Sequence, residues 1–98
     1  MKPNAKFLNY HEIEKTFMEI ADEIADLEDN VGSSSLLNDD LHLDSLDRAE
    51  CITKLEKETG ISITQSDFDK LSGRDVTVAD VCRYFHQRIT NELGKAEQ

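Results

Sequence analysis

The sequence is poor in the residues that interrupt helices, with one proline and four glycines among 98 residues. It lacks any apolar run close to the roughly 20 residues that a membrane-spanning helix needs. Its first ten residues contain no apolar segment of the kind found in signal peptides. The apolar fraction of 38% is still sufficient for a folded core, which argues against a disordered chain. We therefore expect a soluble, cytoplasmic and mainly helical protein.

Cysteine and histidine are equally scarce. Two cysteines, Cys51 and Cys82, are too few for a disulfide framework, and both fall at apolar positions of predicted helices. We expect them to be buried free thiols. The three histidines, His11, His42 and His86, are scattered and form no cluster with the cysteines. The sequence therefore predicts no metal ligands.

Acidic residues are abundant and unevenly placed. The chain has 21 acids against 11 Lys and Arg, for a net charge of −10. Residues 12–50 hold thirteen of the acids against only Lys15 and Arg48. Such a surface repels nucleic acid and anionic membranes, and it attracts basic protein surfaces. A solvated acidic face without a partner is the alternative explanation of the same pattern.

The first amphipathic segment begins after Asn9, a predicted N-cap with Glu12 at the third helical position. Leu8 and Ile13 have the spacing of a hydrophobic staple around this cap. Apolar residues then recur at helical spacing and end near Asp29; they are Ile13, Phe17, Ile20, Ile24 and Leu27.

Residues 30–43 have the composition of a long loop, whose four leucines are expected to pack back onto the core. The second helix is predicted to be capped by Asp44 or Ser45 and to end at Gly60. Its predicted apolar face consists of Leu46, Ala49, Ile52 and Leu55, with Cys51 beside it.

Thr64 and Asp67 predict the start of a short third helix, which ends before Gly73. Thr77 and Asp80 predict the start of a fourth, whose apolar stripe is Val78, Val81, Cys82, Phe85 and Ile89. The tail 90–98 has no apolar face and is expected to fray. The predicted fold is all-α, a small four-helix bundle with a long loop between helices 1 and 2 and a short helix 3. It forms one domain, 1–98, with an ordered core at about 9–89 and flexible tails.

The junction between the long loop and the second helix has the pattern Asp40-Leu41-x-x-Asp44-Ser45-Leu46-Asp47-x-x-Glu50. This pattern resembles the attachment site of acyl carrier proteins, and the resemblance extends from about His11 to Ile89. It implies that 4′-phosphopantetheine is transferred from coenzyme A to Ser45, with Asp44 and Leu46 completing the binding site. It also implies a carrier of acyl thioesters in fatty-acid, lipid or related secondary-product synthesis. Such a chain is not an enzyme and has no catalytic residue.

The resemblance further implies partners. Asp47, Glu50 and Glu56 lie where the family has acids that meet basic patches on phosphopantetheinyl transferases, acyl or ketoacyl synthases and acyl-loading ligases. Leu46 fits either the core or this partner-facing surface. The expected protein is a monomer that binds no nucleic acid and inserts into no membrane. Arg48 departs from the family pattern, which usually has a small or apolar uncharged residue there, so the sequence leaves cargo and partner set open.

Two alternatives remain. One is an aminoacyl or peptidyl carrier, loaded by an adenylating ligase. The other is an acidic helical adaptor in which Ser45 only caps a helix. A calcium-binding loop is absent from the sequence, because no stretch has the required alternation of Asp or Asn with a glutamate at the twelfth position. A serine hydrolase lacks its Gly-x-Ser-x-Gly motif.

Overall fold

The computed structural model describes residues 4–96 and consists of helices joined by loops. A 3₁₀ turn at Ala5–Leu8 precedes four α-helices: α1 (Tyr10–Ala25), α2 (Ser45–Thr59), α3 (Gln65–Leu71) and α4 (Val78–Ala96). The only β-type pairing in this part of the chain is an isolated bridge between Leu36 and Thr77. The predicted four-helix, all-α fold is confirmed. No helix among the described residues has the length and apolarity that a membrane crossing requires.

Helix α1 begins at the predicted cap, since the Asn9 Oδ1 accepts a hydrogen bond of 2.9 Å from the His11 N–H. The helix ends earlier than predicted, at Ala25 and not near Asp29. Asp26 adopts a left-handed conformation with φ of 54°, which stops the helix. The carboxylate of Asp22 then accepts the Leu27 N–H at 2.9 Å.

The predicted hydrophobic staple is wrong in its first member. Leu8 is 46% exposed, whereas Phe7 is only 1% exposed and belongs to the core. The 3₁₀ turn produces this difference, because it directs Phe7 toward α1 and α4 and leaves Leu8 outside. The Leu8 carbonyl is in turn hydrogen-bonded to His86 Nε2 at 2.8 Å. Regular structure therefore begins before residue 9.

Helical structure also extends further than predicted at the other end. Helix α4 continues to Ala96, past the predicted point of fraying at Thr90, and Leu93 is partly buried against the core. The remainder of the predicted flexible tails, residues 1–3 and 97–98, lies outside the described residues. The predicted start of α4 is confirmed, since the Thr77 N–H donates to Asp80 Oδ2 at 3.0 Å and the Asp80 N–H donates to Thr77 Oγ1 at 3.1 Å. The hydrogen bond from the Thr77 backbone lowers the pKa of Asp80.

The long loop between α1 and α2 is fastened to the start of α4. The Leu37 N–H donates to the Val76 carbonyl at 2.9 Å, and the Ala79 N–H donates to the Ser33 carbonyl at 2.8 Å. The loop thus supplies partners for N–H groups that a helix start leaves unsatisfied. Three of its four leucines are buried and the fourth is partly buried, which confirms that the loop packs back; the buried ones are Leu37, Leu41 and Leu43.

Both cysteines are free and fully buried, as predicted. Burial raises the pKa of Cys51 and the pKa of Cys82 to about 12 each. Because the thiolate is the reactive form, both thiols are inert in the native protein at neutral pH.

Candidate functional site: the start of helix α2

Ser45 is the first residue of α2, and its side chain is exposed. The N-cap is the residue before it: Asp44 has extended backbone geometry, and its Oδ1 accepts the Asp47 N–H at 2.8 Å. Of the two caps that the sequence allowed, Asp44 is therefore the correct one. Ser45 has no capping role, so its hydroxyl group is available for other chemistry.

The surroundings of Ser45 suit a covalently attached phosphodiester. The N–H groups of the first helical residues, Ser45 and Leu46, have no partner within the helix. These groups and the positive end of the helix dipole favour an anion at this position. The carboxylates of Asp44 and Asp47 offset part of this effect. The exposed hydroxyl and free backbone donors together fit the 4′-phosphopantetheine group.

Leu46 lies on the surface with 77% of its area exposed, so its predicted place on the apolar face of α2 is wrong. Of the two positions that the sequence allowed for Leu46, the core is excluded, and the side chain faces solvent. The buried face keeps the predicted Cys51, Ile52 and Leu55, and it includes Arg48 and Thr59 in place of Leu46. Glu50 is one turn after Leu46 and shares its outward face, where it lies 4.0 Å from Lys54 Nζ. The pair is exposed and contributes little stability.

The three predicted partner-binding acids do not form one group. Asp47 and Glu50 lie in the first two turns of α2, close to Ser45. Glu56 follows Ser45 by eleven residues, which is about 16 Å along the helix axis at about 1.5 Å per residue. Its Oε2 accepts the Ile63 N–H at 3.0 Å, which ties the end of α2 to the connection with α3. Glu56 thus has a structural contact of its own.

Arg48 is the residue of the site whose role sequence reasoning missed. It is only 6% exposed and donates three hydrogen bonds. Its Nε reaches the Ser72 carbonyl at 2.7 Å, and its Nη1 reaches the Leu43 carbonyl at 2.7 Å and the Asn38 Oδ1 at 3.1 Å. A signal was present in the sequence, because positions 48, 52, 55 and 59 follow the i, i+4, i+7, i+11 spacing of a buried face.

His42 precedes Ser45 by three residues and is exposed on the loop. Its φ of 60° is one of two left-handed values at non-glycine positions in residues 4–96. The residues on either side, Leu41 and Leu43, are both buried. The turn at His42 therefore serves to bring two leucines into the core. In the part of the chain that the structure describes, no group of three His, Cys, Asp or Glu side chains is arranged to hold a metal ion.

Comparisons with known proteins identify the family to which the chain belongs. The family model described as "Phosphopantetheine attachment site" matches residues 13–85. The chain is also 30% identical over 70 residues to a protein of Thermotoga maritima named "Acyl carrier protein", a match that covers 71% of this chain and 82% of that protein. No solved structure matches the chain significantly. The chain belongs to the acyl carrier family of phosphopantetheine-binding proteins, whose domain is the site of the covalently attached 4′-phosphopantetheine.

Asp44→Ala and Ser45→Ala should differ in their effect on stability. Asp44→Ala should lower the free energy of unfolding by about 1 kcal/mol, because it removes the cap of α2. Ser45→Ala should change it by less than about 0.5 kcal/mol, since the first helical position tolerates alanine well. Urea denaturation followed by circular dichroism measures both. Equal losses in the two variants would contradict the assignment of Asp44 as the sole cap.

Proposed function

We propose that the protein is a discrete acyl carrier protein whose 4′-phosphopantetheine arm is attached to the Oγ of Ser45. It delivers acyl intermediates to synthases of fatty-acid, lipid or related secondary-product biosynthesis. The observation that carries this proposal is the exposed Ser45 at the first position of α2, directly after its Asp44 cap. The family match over residues 13–85 includes this position. When attached, the arm holds an acyl group as a thioester, which keeps the group activated for transfer.

The chain contributes to this role by holding the Ser45 hydroxyl in an accessible position. Asp44 holds the first turn of α2 in place, so that the Ser45 hydroxyl faces solvent where a transferase can reach it. The free N–H groups at the helix start stabilise the negative charge that modification adds. The members of the family are carriers, and this chain likewise is proposed to supply no catalytic residue.

We further propose that Leu46, Asp47 and Glu50 form the docking face for partner enzymes. Leu46 is the most exposed large apolar side chain among the described residues, and the two acids flank it on the same helix. A partner with an apolar pocket rimmed by Lys or Arg is complementary to this arrangement. The proposed partners are phosphopantetheinyl transferases, acyl or ketoacyl synthases and acyl-loading ligases. We place the protein in the cytoplasm, a proposal that its two free thiols support, because thiols stay reduced there.

Attachment at Ser45 is tested by incubating the purified protein with coenzyme A, Mg²⁺ and a broad-specificity phosphopantetheinyl transferase. The intact mass should increase by one phosphopantetheine in the wild type and stay unchanged in Ser45→Ala. A second readout is thiol titration of the native protein. It should rise from no reactive thiol to one, because Cys51 and Cys82 are buried and have pKa values raised to about 12.

Modification of Ser45→Ala would show that the arm is attached elsewhere. No modification of the wild type, with the transferase active on another carrier protein, would favour the unmodified helical adaptor. If the wild type is modified at Ser45, identification of the group that it carries in cells distinguishes an acyl carrier from an aminoacyl or peptidyl carrier.

Charge reversal tests the docking face. The double variant Asp47→Lys/Glu50→Lys should slow loading by the transferase about tenfold at low salt, since it removes the electrostatic steering of a basic partner. The rate should also lose most of its dependence on ionic strength. The matched control is Glu19→Lys/Glu23→Lys, which changes the net charge equally at two exposed positions of α1. Equal rates in the two double variants would show that only net charge matters and that α2 has no special docking role.

A further inference from the structure

Arg48 is an unusual residue to find one turn after an attachment site. Its guanidinium is buried, and all three of its acceptors are neutral oxygens, from Asn38, Leu43 and Ser72. The ion pairs within residues 4–96, Lys54–Glu50 and Arg83–Asp80, do not include it. A buried cation without a carboxylate partner depends on the full set of its hydrogen bonds. Any opening of the space around Arg48 that breaks these three bonds would therefore cost stability.

The helix that Arg48 reaches, α3, is held by few contacts. Leu71 is its only buried residue. One side-chain hydrogen bond fixes each end: Tyr84 on α4 donates to Asp67 Oδ2 at 2.7 Å, and Arg48 on α2 donates to the Ser72 carbonyl at 2.7 Å. The contact between Arg48 and Ser72 thus closes the junction between α2 and the carboxyl end of α3, which we call the α2–α3 seam.

The seam lies beside Ser45. Residues three apart on a helix are neighbours on one face, so Arg48 is the next side chain inward from the attachment residue. One turn further along α2, Cys51 and Ile52 are fully buried in the core. An apolar chain that starts at Ser45 and enters the bundle along this face must pass Arg48.

We propose that Arg48 determines which cargo the protein carries, by keeping the α2–α3 seam closed so that the acyl chain stays outside the bundle. This proposal rests on the attachment of the arm to Ser45. Entry of an alkyl chain would separate the guanidinium from its three acceptors and leave two backbone carbonyls without a donor. The cargo suited to a closed seam is a short or polar acyl group, which needs no apolar shelter.

The test measures how well the protein shields a thioester. Acetyl, hexanoyl and decanoyl forms are made by transferring each acyl-phosphopantetheine from its coenzyme A derivative, and cleavage by hydroxylamine is followed by intact mass. Each rate is divided by the rate of the corresponding free acyl-pantetheine. In the wild type this ratio should not fall from acetyl to decanoyl. The wild-type acetyl, hexanoyl and decanoyl forms are compared without any substitution, so a folding defect in a variant does not affect this comparison.

Arg48→Met removes the hydrogen bonds and leaves an apolar side chain of similar length. In this variant the decanoyl form should be cleaved about tenfold more slowly than in the wild type, the factor expected when the chain is enclosed nine-tenths of the time. Arg74→Met is the matched control, because it removes an arginine that is exposed in the α3–α4 connection. It should behave as the wild type does.

Two outcomes would overturn the proposal: a wild-type ratio that falls steeply with chain length, or an Arg48→Met variant that shields decanoyl no better than Arg74→Met. Failure of the proposed attachment is seen separately, as the absence of any mass increase before hydroxylamine is added.

Discussion

The hydrogen bonds of the Arg48 guanidinium hold together the three segments that surround Ser45. They join the middle of the long loop at Asn38, the end of that loop at Leu43 and the carboxyl end of α3 at Ser72. Because the guanidinium is largely buried without a carboxylate partner, these bonds stabilise its charge. One side chain thus connects the carboxyl end of α3 with the path of the chain into α2.

This interaction also sets the division of α2 into two faces. With Arg48 turned inward, the residues at helical spacing after it, Ile52 and Leu55, lie in the core. Leu46 and Glu50 are then turned outward, next to the exposed Ser45. One face of the helix stabilises the bundle, and the other remains free for a modifying enzyme and for partner proteins. The loop makes this possible because its buried leucines and its bonds to the start of α4 fix the direction in which α2 begins.

The helix starts could be predicted from sequence, because capping is a local interaction between a side chain and a backbone N–H two or three residues away. Asn9, Thr64 and Thr77 are such cases. The attachment motif is equally local, and Ser45 remains a proposed site.

The orientation of α2 was not predictable in the same way. Residue type places leucine inside and arginine outside, yet Leu46 is exposed and Arg48 is buried. For Arg48 that preference is reversed by two carbonyl groups outside α2, those of Leu43 at the end of the loop and of Ser72 after α3. The burial of Phe7 was not predicted either, because the 3₁₀ turn that places it in the core has no strong sequence signal.

Amide hydrogen exchange of the unmodified protein, measured by NMR for the wild type and for Arg48→Met, tests the role of Arg48 most directly. If Arg48 holds the three segments together, the variant should exchange faster at the amides of Leu43 and Ser72 than its overall loss of stability explains. Amides within α1 and α4 should change only by the factor that the loss of global stability sets. A uniform change at all amides, or no change around α3, would contradict the account.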